Sequence, residues 1–235
     1  YSDMDGKTTP VSIAANLASR KGMIVVNSAG NSGSSSWHYI GAPADADSIL
    51  SVGAVDENRD FAWFSSYGPT FDSRTKPTIV AQGRNTIVAT SDNGVLAGNG
   101  TSFSSPVIAG MTACLWQAHP NRTNMEIINA IILSSHLHEN PNDSLGYGLP
   151  NFVLADLLLT EPKSQSISEI IAVVPNPISS NSHLYVYAAN TNAMSMEVYD
   201  IKGNRINKCN FFLTPQSNNQ INLSFLRKNA IGTYL

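Results

Sequence analysis

The chain has 235 residues, of which 42% are hydrophobic and 13% are charged, and its formal net charge at pH 7 is −3. This length and apolar content predict a folded protein with one core of ordinary size and a smaller second module. No stretch concentrates lysine and arginine, which excludes the electrostatic pattern of a nucleic-acid-binding protein. No apolar run reaches the roughly 18 residues that a transmembrane helix needs, so no transmembrane segment is predicted.

The two cysteines, Cys114 and Cys209, lie far apart in the chain and in neither a metal-ligand nor a redox spacing. They predict no disulfide framework. The opening residues are polar and lack the basic and apolar parts of a signal peptide. Residues 232–235 have the pattern of a strand that breaks off, so we expect the sequence to be truncated at both ends.

The first predicted element is a helix. Thr8 and Thr9 supply a capping hydroxyl, Pro10 suits the first helical position, and apolar residues then recur at helical spacing up to Gly22. The continuous apolar run at residues 23–26 predicts a strand that is buried on both faces of a parallel sheet. An α-then-β unit therefore opens the chain.

Two further strands are predicted at residues 48–55 and 86–90, both as members of the same sheet. A long helix follows from about residue 102 to 119, with Pro106 in its first turn, where a missing N–H costs little. A capping box beginning at Thr123 predicts another helix. Helices that alternate with strands in this way predict an α/β fold.

The composition changes after Thr160, where residues 161–169 are polar and suit a linker. Short β-rich runs broken by turns follow, at residues 183–187, 194–199 and 220–223. We therefore predict an α/β domain over residues 1–160 and a small all-β, sandwich-like domain over residues 170–235.

The strongest chemical signal is a glycine-bearing loop that delivers Ser102 to the start of the predicted long helix. The free N–H groups and the positive dipole end of a helix favour negative charge at that point. Such charge develops when a hydroxyl adds to a carbonyl group and forms a tetrahedral oxyanion. A lone Gly-Thr-Ser is more often an ordinary helix cap without chemistry, so the neighbouring motifs decide.

A second candidate residue, Asn31, follows the first predicted strand within the sequence Ala29-Gly30-Asn31-Ser32-Gly33. An amide at the carboxyl end of a parallel strand can direct its NH₂ group into the crevice where open α/β sheets bind ligands. It would donate a hydrogen bond to an oxyanion there. Considered alone, Asn31 equally suits a turn between two glycines.

Together the two motifs resemble those of the subtilase family of serine peptidases. The nucleophile motif Gly-Thr-Ser-x-x-x-Pro corresponds to residues 100–106, and residues 25–33 have the form of the strand that carries the oxyanion-hole asparagine. The resemblance extends over about residues 8–159 and departs from the family at Gln82, where proline is common. It implies a partial subtilisin-like fold of three layers around a parallel sheet.

By this resemblance the chain is part of a serine endopeptidase that hydrolyses proteins or peptides through an acyl-enzyme on Ser102. Asn31 would supply the oxyanion hole. The residues implied in substrate binding are Ser28, Ala29, Gly30, Gly100 and Thr101. No metal or other cofactor is predicted, although some subtilases bind calcium structurally.

The family activates its serine with a histidine that an aspartate orients, in the chain order Asp, His, Ser. All the histidines of this chain follow Asn31, at positions 38, 119, 136, 138 and 183. Asp3 and Asp5 precede Asn31, but no apolar strand leads into them. The catalytic Asp and His are therefore expected in a missing N-terminal part, and the chain alone is expected to be inactive.

The sequence is also compared with two rival functions, a non-catalytic homologue and an esterase. A non-catalytic subtilase homologue, acting as a secreted or surface binding module, stays open because the Asp and His are not in the chain. An esterase is disfavoured, because those enzymes place the nucleophile in Gly-x-Ser-x-Gly and the sequence around Ser102 lacks the second glycine.

The C-terminal part contains three motifs, namely Pro175-Asn176-Pro177, Tyr199-Asp200-Ile201-Lys202-Gly203 and Gly232-Thr233-Tyr234. They resemble the C-terminal sorting domain of the Bacteroidetes type IX secretion system. The resemblance implies export across the outer membrane, with the secretion machinery as a partner and the product either released or surface-anchored. A generic β-sandwich accessory domain is the alternative.

Overall fold

The computed structural model describes residues 1–160, 169–174, 182–189, 193–199, 204–215 and 217–223. It divides into one unit over Tyr1–Leu159 and a second over Thr160–Leu235. The predicted linker lies almost wholly outside the described residues. The Pro-Asn-Pro motif, most of the tyrosine-aspartate hairpin and the final Gly-x-Tyr motif also lie outside them.

The first unit is built on a parallel sheet of three strands in the order β1-β2-β3. These strands are β1 (Val26–Ser28), β2 (Leu50–Val55) and β3 (Ile79–Gln82). An antiparallel hairpin, β4 (Thr86–Ala89) and β5 (Val95–Gly98), follows them. The helices are α1 (Pro10–Arg20), α2 (Thr101–Ala118), α3 (Asn124–Leu133) and α4 (Phe152–Leu159). A parallel sheet with helices confirms the predicted α/β class.

The core lies between β2, β3 and helices α2 to α4. All six residues of β2 are buried, as expected for a strand with a neighbour on each side. They pack with β3 and the helices through the largest core cluster, which includes Leu50, Val52, Ile79, Ile108, Leu115, Ile127 and Ile131. This packing holds the start of α2 against the sheet.

Two strand predictions were wrong. The first strand begins at Val26 and is only half-buried, because it lies at the edge of the described sheet. Residues 86–89 do not join the parallel sheet but pair with β5 in a separate hairpin. The third parallel strand is instead β3, and the turn that contains Gly94 lets the chain reverse after β4.

Helix α1 begins as predicted, with the Thr9 side chain accepting from Ser12 N and Pro10 at the first helical position. Its packing differs from the expectation. The large apolar residues Val11 and Leu17 are 52% and 55% exposed, whereas small residues such as Ser12 are buried. In the described structure the apolar stripe of α1 therefore faces away from the core.

Helix α2 begins at Thr101, one residue earlier than predicted, which places Pro106 inside the helix and beyond the first turn. Proline has no backbone N–H, so the helical hydrogen bond to the carbonyl oxygen of Ser102 cannot form. The helix is apolar on two sides. Ile108 is buried against the core, while Val107 and Met111 are 48% and 43% exposed.

The predicted capping box is present at the start of α3. Thr123 Oγ1 accepts from Glu126 N, and Glu126 Oε2 accepts from Thr123 N at 2.8 Å. The hydrogen bond from Thr123 N is the largest cause that holds the pKa of the Glu126 carboxyl below its ordinary value. Thr123 N and Glu126 N, two backbone donors without a partner inside the helix, are thereby satisfied.

One cation of the first unit is buried. Lys76, just before β3, is 4% exposed, and its Nζ donates to Thr78 Oγ1 at 3.2 Å and to Ile49 O at 3.5 Å. Burial, followed by the neighbouring cation of Arg74, lowers the pKa of Lys76 to about 7. A buried ammonium without an ion-pair partner destabilises the folded state.

The effect of Lys76 on stability should depend on pH in a defined window. The pKa of about 7 in the folded chain lies below the ordinary value near 10.4 in the unfolded chain, so the unfolded chain binds more protons between these limits. The free energy of unfolding should therefore rise with pH, by up to about 1.4 kcal/mol per pH unit, relative to Lys76→Met. Urea unfolding of both proteins at pH 7 and 9 measures this slope, and equal slopes would show that the buried amine stays charged.

The second unit is made of antiparallel strands. They are β6 (Glu169–Val174), β7 (His183–Ala188), β8 (Ala193–Tyr199), β9 (Arg205–Phe212) and β10 (Ser217–Asn222). One sheet has the order β10-β7-β6, and β8 pairs with β9 in another. Side chains of both sheets share one apolar cluster, including Val186 of β7 and Val198 of β8. This confirms an all-β module.

Candidate active site

Ser102 lies in the first turn of α2 and is exposed. The segment that leads into α2 is anchored just beyond the end of β3, because Gly100 N donates to Gly83 O at 2.8 Å. A Cβ on Gly83 would lie 2.2 Å from Ser104 Oγ and 2.8 Å from Gly100 O, so only glycine permits this approach. The close contact fixes where α2 begins relative to the sheet and therefore where Ser102 lies.

Asn31, after β1, is joined directly to the start of α2. Its Oδ1 accepts from Thr101 N at 2.9 Å and from Thr101 Oγ1 at 2.9 Å. A backbone N–H can only donate, so the amide oxygen must face Thr101 and the NH₂ group must face the other way. Among the described residues no group accepts from Asn31 Nδ2, which leaves both of its protons available to a ligand.

Thr101 is the residue that orients this amide. It is fully buried, and its Oγ1 also accepts from Gly30 N at 3.3 Å. One hydroxyl thus links the loop after β1 to the first residue of α2. Thr101, which the family resemblance implies in substrate binding, thus contacts both Gly30 and Asn31.

The loop after β1 is held from the other side by Ser66. Ser66 N donates to Gly30 O at 2.9 Å, and Ser66 Oγ accepts from Ser32 N at 3.0 Å. Gly30 has φ +114°, and a Cβ there would lie 2.8 Å from Ser66 Oγ. Ser66 was not predicted as a site residue, because no local pattern in the sequence indicates a contact with a loop more than 30 residues away.

A cavity of about 310 Å³ opens beside this loop. Three predicted substrate-binding residues, Ser28, Ala29 and Gly30, form part of its wall, and Trp37 and Tyr39 form another part. No lining residue carries a charge. Gly100 and Thr101 do not line the cavity but lie beside Asn31.

Each of the histidines has a contact of its own with another residue. His119 caps the far end of α2, about 25 Å along the helix axis from Ser102, where its Nε2 lies 2.7 Å from Asp156 Oδ1. His38 stacks on Tyr67 with ring centroids 5.0 Å apart. His138 contacts Ser135 O, and His136 accepts a hydrogen bond from Leu149 N. His183 lies beside the Tyr185 ring.

Neither of the two early aspartates is arranged as a catalytic partner. Asp5 closes a local turn by accepting from Lys7 N and Thr8 N, each at 2.8 Å. The hydrogen bond from Lys7 is the largest cause that holds the pKa of Asp5 below its ordinary value. Asp3 is exposed, with Ser2 as its hydrogen-bond donor.

Over the part of the chain that the structure describes, no three His, Cys, Asp or Glu side chains are grouped closely enough to hold a metal ion. Within the same residues, no helix has both the length and the apolar content that crossing a bilayer requires.

The part of the chain that contains the parallel sheet, Ser102 and Asn31 matches a known protein family. Residues 2–148 match the subtilase family, and the chain belongs to that family. Residues 172–235 match a secretion system C-terminal sorting domain, which directs type IX secretion across the outer membrane.

Individual relatives agree with this assignment. Subtilisin DY of Bacillus licheniformis is 36% identical over 142 residues, covering 60% of this chain and 48% of that protein. A thermophilic serine proteinase of Bacillus sp. strain AK1 is 39% identical over 127 residues, covering 54% of this chain and 29% of that protein. The chain thus spans less than half the length of these relatives.

Solved structures show the same fold. MycP1 from Mycobacterium smegmatis superposes with a TM-score of 0.51 at 26% identity, over 64% of this chain and 46% of that one. The prenylagaramide maturation protease PagA gives 0.52 at 25% identity, over 63% and 54%. The chain is therefore part of a serine peptidase fold.

Proposed function

We propose that the whole protein is a secreted serine endopeptidase in which Ser102 attacks the peptide carbonyl carbon and forms an acyl-enzyme. The arrangement of Asn31 supports this most directly. Its amide oxygen is held by two donors of Thr101, so its NH₂ group is fixed as a donor next to the helix start that carries Ser102. Fixed donors of this kind stabilise an oxyanion without reorganising during the reaction.

The chemistry proceeds in two steps. The Ser102 hydroxyl loses its proton to a general base as its oxygen bonds to the carbonyl carbon, and the carbonyl electron pair moves to the oxyanion. Asn31 Nδ2 and the backbone N–H of Ser102 donate to that oxyanion, with the positive end of the α2 dipole adding to the stabilisation. Collapse expels the amine, which takes up the proton held by the base, and water, deprotonated by the same base, then releases the acyl group.

The base and its aspartate belong, in this proposal, to sequence that precedes Tyr1 in the whole protein. Two observations support this. The chain spans 48% of subtilisin DY. Apolar residues such as Leu17 of α1 and Val107 of α2 are 55% and 48% exposed, which suits faces that another part of a catalytic domain covers.

The cavity beside Asn31 is proposed to receive the side chain that precedes the bond to be cleaved, in a protein or peptide substrate. Ser28, Ala29 and Gly30 form one open wall of it, and its lining carries no charge. The type IX secretion machinery is the proposed partner of the second unit, whose family match carries that part of the proposal.

A non-catalytic homologue that acts as a secreted or surface binding module is the alternative, because the histidines within residues 1–160 contact residues other than Ser102. The test is to express the complete gene product and residues 1–235 separately and to assay both with casein and with a quenched fluorescent peptide. We expect hydrolysis by the complete protein and none above background by residues 1–235. A correctly folded complete protein that binds peptide without cleaving it would favour the alternative.

A further inference from the structure

A second cavity, of about 350 Å³, lies at the opposite end of the sheet from Ser102. Residues 47–49, which precede β2, and residues 74–76 and 78, which precede β3, line it. Because these strands are parallel, their amino ends share one edge of the sheet and the residues around Asn31 lie beyond the other edge. The cavity is therefore separate from the candidate active site.

Lys76 forms part of the wall of this cavity. The two groups that its Nζ contacts, Ile49 O and Thr78 Oγ1, belong to residues that also line the cavity. Both hydrogen bonds are long, at 3.5 and 3.2 Å, so they hold the amine weakly. The amine is thus positioned at the cavity without being tightly engaged.

The charged groups around Lys76 are paired with one another instead of with its amine. Arg74 Nε lies 2.9 Å from Asp72 Oδ2, and Arg74 Nη1 donates to Asp45 O and lies 4.0 Å from Asp47 Oδ1. The Asp45 carboxylate accepts from Gly6 N and Ser12 Oγ. In the described part of the chain Lys76 forms no ion pair.

Another part of the cavity lining is largely apolar. It is formed by α3 through Met125, Ile128 and Ile132, with Asn129 at the exposed rim. The Tyr147 hydroxyphenyl group completes the lining. A lysine amine facing an apolar wall is the arrangement in which lysine acts as a nucleophile towards carbonyl compounds.

We propose that this cavity is a covalent site for small apolar aldehydes, which Lys76 holds as a Schiff base. The Lys76 nitrogen lone pair forms a bond to the aldehyde carbon, and the carbonyl π electrons move to the oxygen, which takes up a proton. Loss of a nitrogen proton and of hydroxide, together one water, then gives the C=N bond. No oxidant or reductant is consumed.

Burial supports this chemistry, because a pKa of about 7 leaves a large neutral fraction of Lys76 at neutral pH. A simple anion fits the cavity less well. Asp47 also lines it, and Arg74, the other cation there, already binds Asp72. A neutral carbonyl compound meets no repulsion from Asp47, whose carboxylate would instead stabilise a protonated imine. The proposal does not depend on the activity of Ser102.

The test exposes the full chain to hexanal and sodium cyanoborohydride at pH 7, followed by peptide mapping by mass spectrometry. The exposed lysines Lys7 and Lys21 serve as internal controls, and the α-amine of Tyr1 is counted separately. We expect Lys76 to be alkylated at least tenfold faster than either control.

Two variants make the result specific to the cavity. Asn129→Trp should close the rim and lower alkylation of Lys76 several-fold, whereas Asn129→Ala should leave it unchanged. Alkylation of Lys76 no faster than that of Lys7 and Lys21 would overturn the proposal. Equal rates in the two Asn129 variants would also overturn it, because the aldehyde would then not be reaching Lys76 through this cavity.

Discussion

Replacing Ser102 with alanine in the complete protein should lower kcat for peptide hydrolysis by about 10⁶-fold, a figure borrowed from subtilisin, where it was measured on loss of the nucleophile. The reason is that no acyl-enzyme can form without the hydroxyl. Substrate binding should persist, because the amide of Asn31 and the cavity beside it are untouched by the change. Initial rates at saturating peptide, together with peptide binding to the variant, measure both parts.

The matched control for this substitution is Ser105→Ala, one turn further along α2. It removes a hydroxyl from the same helix and should leave kcat within about a factor of two, because Ser105 has no assigned part in the chemistry. A Ser102→Ala protein that keeps most of its activity would show that another residue attacks the substrate.

Replacing Asn31 with alanine should lower kcat by about 10²–10³-fold with little change in KM, which is the loss measured for the equivalent change in subtilisin itself. The split between kcat and KM follows from charge. The donor at Nδ2 meets a neutral carbonyl in the bound substrate and an oxyanion in the transition state, so it stabilises the second far more strongly. A rise in KM at constant kcat would instead identify Asn31 as a substrate-binding or turn residue.

Thr101 offers a graded test of the same donor. Thr101→Val removes one of the two donors that hold Asn31 Oδ1 and leaves the other, Thr101 N, in place. Its effect on kcat should be smaller than that of Asn31→Ala, and Thr101→Ser should restore most of the loss. Equal losses in the Val and Ser variants would indicate a packing defect of the buried Thr101 side chain.

Local signals predicted the helices well because their causes lie within a few residues. The Thr9 cap with Pro10 and the capping box of Thr123 and Glu126 all appear where the sequence places them. The strand at residues 86–89 was misassigned for the opposite reason. Its partner, β5, depends on the reversal of the chain around Gly94, which is not visible in a four-residue apolar run.

The candidate site was predictable in its residue types and not in its contacts. Order along the chain and the two motifs were enough to single out Ser102 and Asn31. The orientation of the Asn31 amide depends on Thr101, which lies 70 residues away, and the shape of the loop depends on Ser66. Contacts of such long range leave no periodic pattern, and the same holds for the burial of Lys76.

Covalent labelling with a fluorophosphonate would test directly whether Ser102 is the nucleophile, because this reagent bonds to a serine only when its hydroxyl is activated. Labelling of the complete protein and of residues 1–235 would be located by peptide mapping. We expect one label, on Ser102 of the complete protein, with peptide hydrolysis lost in proportion, and no label on residues 1–235. Hydrolysis that persists with Ser102 unlabelled, or a label on a different serine, would contradict it.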